Sequence, residues 1–222
     1  MLNQKAGESG EPELRLQAAE SRGKILEVAE TLFSGGGYSA VGMRQLATAA
    51  GLSKSALFHH FPTKSDLYAA VLDQVLERLE DALGEETESD PCVRLDRWIG
   101  SVAETLADDE PAARLLMRVL MDETPLSVFR GQGADRILKP FERRLARIVE
   151  RLRGPLEEGI ALGTFRPVAT DDSIQRVMGV LFLHFGSGHF REEQAEERLS
   201  SKSAASRRSE ELAGFIRRGL LA

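Results

Sequence analysis

The sequence predicts an all-α protein, with an N-terminal three-helix domain followed by a larger helical domain. Three observations carry this expectation. Apolar residues recur at spacings of three and four through successive segments. Helix punctuation brackets those segments, with glycine after their ends and Ser, Thr, Asp or Pro at their starts. No stretch alternates apolar and polar residues as a half-buried strand does, and no internal repeat occurs.

Taken in order, residues 1–17 hold Gly7, Gly10 and Pro12 among mixed charges and read as a disordered arm. A helix over 18–34 follows, with Ile25, Val28, Ala29, Leu32 and Phe33 on one face, stopped by Gly35-Gly36-Gly37. A short helix fits 42–50, with Met43, Leu46, Ala47 and Ala50 as its apolar positions. After Gly51, Ser53 caps a third helix over 54–60, which Pro62 ends because proline lacks an N–H and clashes with the preceding turn. Thr63 caps a fourth helix over 64–83, striped by Leu67, Val71, Leu72, Val75, Leu76 and Leu79. These segments give a domain over 18–66, a connecting helix over 67–83 and a C-terminal domain over 84–222.

In that last domain, helices are expected over 94–107 and from Pro111. A basic helix over 134–153 is expected to bend near Pro140 and stop near Pro155. An apolar helix from Asp171 or Asp172 through Phe185 and an amphipathic helix over 206–221 complete the chain. The apolar helix carries nonpolar residues almost all round, so it should be buried.

No apolar run approaches the roughly 20 residues that span a bilayer, so no membrane segment is expected. Cys92 is the single cysteine, which excludes an intrachain disulfide and suits a reducing cytoplasm. The net charge of −6 is unfavourable for a nucleic-acid partner, but its distribution is uneven. From Thr31 through Ser65 there is no Asp or Glu, while Arg44, Lys54, Lys64, His59 and His60 fall inside that window. Contact charges act within a Debye length of ~8–10 Å, so such a face can neutralise phosphates on an acidic protein. Chance segregation produces the same pattern, and charge alone does not separate the two.

The two short helices joined by Ala50-Gly51-Leu52-Ser53 have the dimensions of a helix-turn-helix. Ala47 is small where the helices cross, Gly51 can turn sharply, Leu52 and Leu57 can anchor the pair, and Ser53 leaves the next helix's N-terminus open. The run from Gly37 to Leu67, with AxxAGLSKxxLFxHF followed by PTKxDL, resembles the DNA-binding domain of TetR-family regulators. The resemblance covers about residues 20–70; beyond it, only length and helical layout agree. It implies that Lys54, Ser55 and His59 face the major groove and that Arg44 approaches phosphate or a base edge. It also implies that Phe58, His60 and Lys64 touch the phosphate backbone and that Ser53 caps the reading helix. Val41, Gly42, Ala56 and Phe58 stand where relatives often carry hydroxyl side chains. Each missing neutral hydrogen bond is worth about 0.5–1.5 kcal/mol, so Phe58→Tyr is expected to tighten operator binding.

Other clusters also fit plainer roles. Adjacent helical residues point about 100° apart, so His59 and His60 do not easily share a metal, and no metal or cofactor is expected. His184 fits either a hydrogen-bonded histidine or a ligand cavity, which Trp98, Met117, Met121, Phe129 and Phe182 would line. Core packing explains those apolar residues equally well. Arg143, Arg144, Arg147, Arg151 and Arg153 alternate with Glu142 and Glu150, which favours a solvated helix face over a second nucleic-acid surface. Val177 and Leu181, with Leu212, Phe215 and Ile216, are expected at a four-helix interface between two copies.

The function implied is a ligand-responsive transcriptional regulator, by default a repressor. It would bind a palindromic operator as a homodimer, and a small apolar or amphipathic effector would release it, with the fourth helix as lever. No catalytic triad, phosphate loop, carboxylate pair or metal-ligand spacing is present, so an enzyme is not expected. A DNA-binding protein without effector, whose C-terminal domain only dimerises or binds a partner protein, is the second alternative; an enclosed apolar cavity would favour ligand control over it.

Overall fold

The computed structural model describes residues 10–121, 134–187 and 202–221. Its helices are α1 (Gly10–Ala40), α2 (Met43–Ala49), α3 (Lys54–His60), α4 (Lys64–Leu83), α5 (Pro91–Asp108), α6 (Glu110–Met121), α7 (Ala134–Ala161), α8 (Thr170–Gly186) and α9 (Lys202–Leu220). The chain divides into two compact units at Val71–Leu72, inside α4.

In the first unit, α1 buries Ile25, Leu26, Ala29 and Phe33, while α2 and α3 contribute Leu46, Ala47 and Leu57. The start of α4 adds Leu67 and Tyr68, whose ring meets Phe33 edge-on at 5.0 Å. Helix α1 begins at Gly10, so residues 10–17 are helical rather than part of an arm; Pro12 sits in the first turn, where its missing N–H costs nothing. It also runs through Gly35 and Gly36, because each glycine costs only about 1 kcal/mol against alanine. The break falls at Gly37, whose φ of 76° side-chain-bearing residues rarely adopt.

At the head of α4 the Thr63 hydroxyl accepts from the Asp66 amide at 3.1 Å, and the Asp66 carboxylate accepts from the Thr63 amide at 2.8 Å. This reciprocal capping satisfies two amide groups that the helix start leaves without partners.

In the second unit α5 packs against α6, α7, α8 and α9 and buries Leu95, Trp98, Ile99, Val102 and Leu106. It starts at Pro91, earlier than the apolar spacing indicates, because Asp90 caps the amides of Cys92 and Val93.

Helix α7 overrides the expected stop near Pro155 and continues to Ala161 with both prolines inside it. Burial of its apolar stripe outweighs the roughly 3 kcal/mol penalty of an internal proline. Its apolar stripe continues through buried Ile148, Leu152 and Leu156, and its arginines are fixed by ion pairs. Arg144 donates to Asp73 at 2.9 Å, Glu80 at 2.8 Å and Glu77 at 3.3 Å, and Arg147 joins Glu80. Arg151 donates to the Leu83 carbonyl and Arg153 to Asp171. The basic run is therefore committed largely to contacts within the chain.

Helix α8 is not buried all round. Ser173, Ile174, Val177, Leu181, Phe182 and Phe185 face the core, whereas Gln175, Arg176, Gly179 and Leu183 are exposed. The C-terminal end is pinned where the Arg166 amide donates to the Leu220 carbonyl and the Arg166 side chain to the Leu221 carbonyl.

Two outcomes follow from this packing. A Cβ added at Gly159 would overlap the buried Phe165 ring, so Gly159→Ala is expected to lower stability by about 1–3 kcal/mol in thermal or urea unfolding. The Glu80 carboxyl is held below its ordinary value of 4.5 chiefly by the Arg147 hydrogen bond, with Arg144 adding to it and burial opposing. A lowered folded-state pKa stabilises the fold above the ordinary carboxylate range and loses that contribution as pH falls through the lowered value. Acid titration of thermal stability below about 4.5 should show a smaller loss in Glu80→Gln than in the parent chain.

Candidate nucleic-acid interface and apolar cavity

Helix α3 is seven residues long, and both its ends are secured. The Ser53 hydroxyl accepts from the Ala56 amide at 3.1 Å, and the Phe61 amide donates to the Leu57 carbonyl at 2.9 Å. Before it, Gly51 takes a φ of 70° and the Leu52 amide bonds the Ala47 carbonyl at 2.9 Å, which closes the turn from α2. Leu57 is fully buried and anchors the helix, while Leu52 is half-buried.

That anchoring leaves one face outward. Ser53, Lys54, Ser55, Phe58 and His59 are exposed on α3, as is Arg44 on α2; His60 and Lys64 are half-buried. Aromatic rings steady the cations around this face. Lys54 Nζ lies 5.5 Å from the Phe58 ring centre, and Lys64 Nζ lies 4.3 Å from that of Tyr38. Burial pushes the Lys64 ammonium below its ordinary pKa and the Tyr38 phenol above its own. The His59 and His60 rings meet at 73° with centres 5.9 Å apart, and no group of metal-ligating side chains occurs among the described residues. The departure at Gly42 has a visible consequence, because α2 begins without a side-chain cap.

One cation escapes the sequence pattern. Arg22 on α1 is exposed and holds its guanidinium 5.1 Å from the centre of the Phe61 ring, beside the end of α3. It precedes the acid-free window and lies among acidic residues in sequence, so only folding shows where it sits.

In the second unit an apolar void of about 50 Å³ is lined by Leu76, Leu79, Trp98, Val102, Leu116, Phe141, Ile148, Met178 and Phe182, among others. Trp98 donates its indole N–H to the Ile148 carbonyl at 3.1 Å, so its polar atom is satisfied away from the void. Of the residues expected to line a cavity, Trp98 and Phe182 do so. Met121 is 76% exposed, and His184 is exposed with its ring against Phe185, so neither belongs there. Met117 packs instead at Gly186, and Phe129 lies outside the described residues.

The expected dimer residues divide similarly. Val177, Leu181 and Ile216 are turned into the chain's own core, Leu212 is half-buried and Phe215 is 62% exposed. Helical period alone does not tell an internal core face from an external one; Gly179 and Leu183 of the same helix are exposed.

The comparisons with known proteins agree with this layout. Residues 25–71, spanning the second half of α1 through the first part of α4, match the family model described as bacterial regulatory proteins, tetR family. Over that segment the chain is similar to TetR-family regulators. The transcriptional activator FasR of Mycolicibacterium smegmatis is 34% identical over 104 residues, covering 46% of this chain and 48% of FasR. The chain spans about half the length of the curated relatives it matches. The regulator PfmR of Thermus thermophilus superposes with a TM-score of 0.62 at 26% identity, covering 87% of this chain and 97% of PfmR. FadR of Bacillus subtilis, solved with stearoyl-CoA, gives a TM-score of 0.60 at 17% identity over 87% of this chain and 96% of FadR. No helix among the described residues is long and apolar enough to cross a membrane.

Arg22 supplies a specific outcome. Arg22→Ala is expected to weaken binding to duplex DNA of any sequence and to reduce the slope of log affinity against log salt by about 1, measured by fluorescence anisotropy.

Proposed function

We propose that this chain is a transcriptional repressor that binds a palindromic operator as a homodimer and is released by a small apolar or amphipathic effector. The observation that carries the DNA half is the α3 face: a capped, anchored helix presents Lys54, Ser55, Phe58 and His59 outward, with no carboxylate from Thr31 through Ser65. Such a face attracts phosphate and can reach base edges in the major groove. A twofold pair of these helices suits half-sites about one helical turn apart, ~34–36 Å. The exposed Gly179, Leu183 and Phe215 offer apolar surface for the pairing of two copies.

The effector half rests on the void in the second unit. Its lining offers no hydrogen-bond partner, so it suits a hydrocarbon chain, the chemistry of the stearoyl group bound by FadR. At about 50 Å³ it must widen to take such a chain, and α4, which contributes Leu76 and Leu79, would move as it does. Effector then lowers operator affinity only by as much as it prefers the widened state. A C-terminal unit that serves dimerisation alone is the second reading, favoured by the small size of the void.

Selection of duplexes from random-sequence DNA by the full chain tests the first half, and a palindromic consensus is the expected product. Titration of the bound duplex with acyl-CoAs of increasing chain length tests the second. Release is expected for the parent chain, and Leu79→Trp, which fills the void, should raise the half-release concentration at least tenfold while leaving operator affinity within about twofold. Selection without a consensus would overturn the operator reading, and binding indifferent to every acyl-CoA would favour the dimerisation reading.

A further inference from the structure

Phe58 is the sole large apolar side chain exposed on α3 among the described residues. Its neighbour Leu57 is fully buried and anchors the helix, so Phe58 does not serve the core in the same way. The ring is 36% exposed, carries no hydrogen-bonding group, and sits in a segment with no acidic side chain. Lys54, one helical turn earlier, extends its ammonium toward the same ring at 5.5 Å. A phosphate gains little from a ring that lacks a hydroxyl. The major-groove edge of a duplex, by contrast, offers one apolar group, the 5-methyl of thymine, and phenylalanine is a side chain suited to it.

We propose that Phe58 is a specificity-determining residue that reads a thymine methyl in each operator half-site. The inference rests on the DNA-binding reading above and sharpens it from backbone attraction to a base preference. Lys54 and Phe58 are separated by about 6 Å along the helix, from a rise of 1.5 Å per residue. That distance is close to two base steps of 3.4 Å. The thymine therefore lies within about two base pairs of the base edge or phosphate that Lys54 meets. The Lys54 ammonium leaves the Phe58 ring for that partner, and the uncovered ring packs on the methyl.

The test uses the duplex that the full chain selects from random-sequence DNA. Each thymine is replaced in turn by deoxyuridine, which removes the methyl and keeps every hydrogen-bonding group. One position per half-site is expected to weaken binding by the parent chain about fourfold when changed in one half-site and about fifteenfold when changed in both. Phe58→Ala should bind the thymine and uracil duplexes equally, whereas Phe58→Tyr should keep the preference. A parent chain indifferent to every replacement, or a preference that persists in Phe58→Ala, would overturn the proposal. Failure to select any duplex would instead overturn the DNA-binding reading on which it stands.

Discussion

The fixing of α3 is the constraint on which the rest of the site depends. A seven-residue helix is well below the ~12–15 residues at which isolated helices become even marginal in water, so it exists only because its surroundings hold it. Leu57 supplies the anchor, Ser53 the cap at one end and the bond from Phe61 the closure at the other. The Gly51 turn fixes how α2 leads into it. With Leu57 buried, Lys54, Ser55, Phe58 and His59 are the α3 side chains left exposed. The chemistry of the interface is thus set by one buried leucine as much as by the side chains that would meet DNA.

The second unit uses α4 differently on its two faces. Leu76 and Leu79 line the apolar void, while Asp73, Glu77 and Glu80 meet the guanidinium of Arg144. Partly exposed ion pairs contribute about 0–1 kcal/mol each, so this cluster specifies register more than it stabilises. The energy of the unit comes from the buried stripes of α5 and α7, which also explain how α7 tolerates Pro155. A void beside such a stripe is a place where packing can change at modest cost, which is what an effector site requires.

Much of this was legible in the sequence, and the exceptions share a cause. The bounds of α3 and α4, the Ser53 cap, the Gly51 turn and the Leu57 anchor follow from local chemistry, which sequence records directly. Gly35, Gly36 and Pro155 misled because a breaker's local cost is decided by packing from elsewhere. Arg22 was invisible because its place beside Phe61 depends on how α1 and the end of α3 come together. On α8 and α9, apolar spacing marked buried and exposed faces alike, so Val177, Leu181 and Ile216 turned inward while Leu183 and Phe215 remained outside. Met121 and His184 carried side chains suited to a cavity but stand on outward faces, which composition does not encode.

In the proposed complex, α3 of each of two copies enters the major groove. Ser55 is exposed on that helix, and Cys92 is the only native cysteine, so a Cys92→Ser, Ser55→Cys chain can carry a tethered iron chelate at one chosen point. Cleavage of the selected duplex is expected in two clusters facing successive major grooves, about one turn apart. Cleavage spread evenly along the duplex, or confined to a single cluster, would contradict a paired α3 reading head.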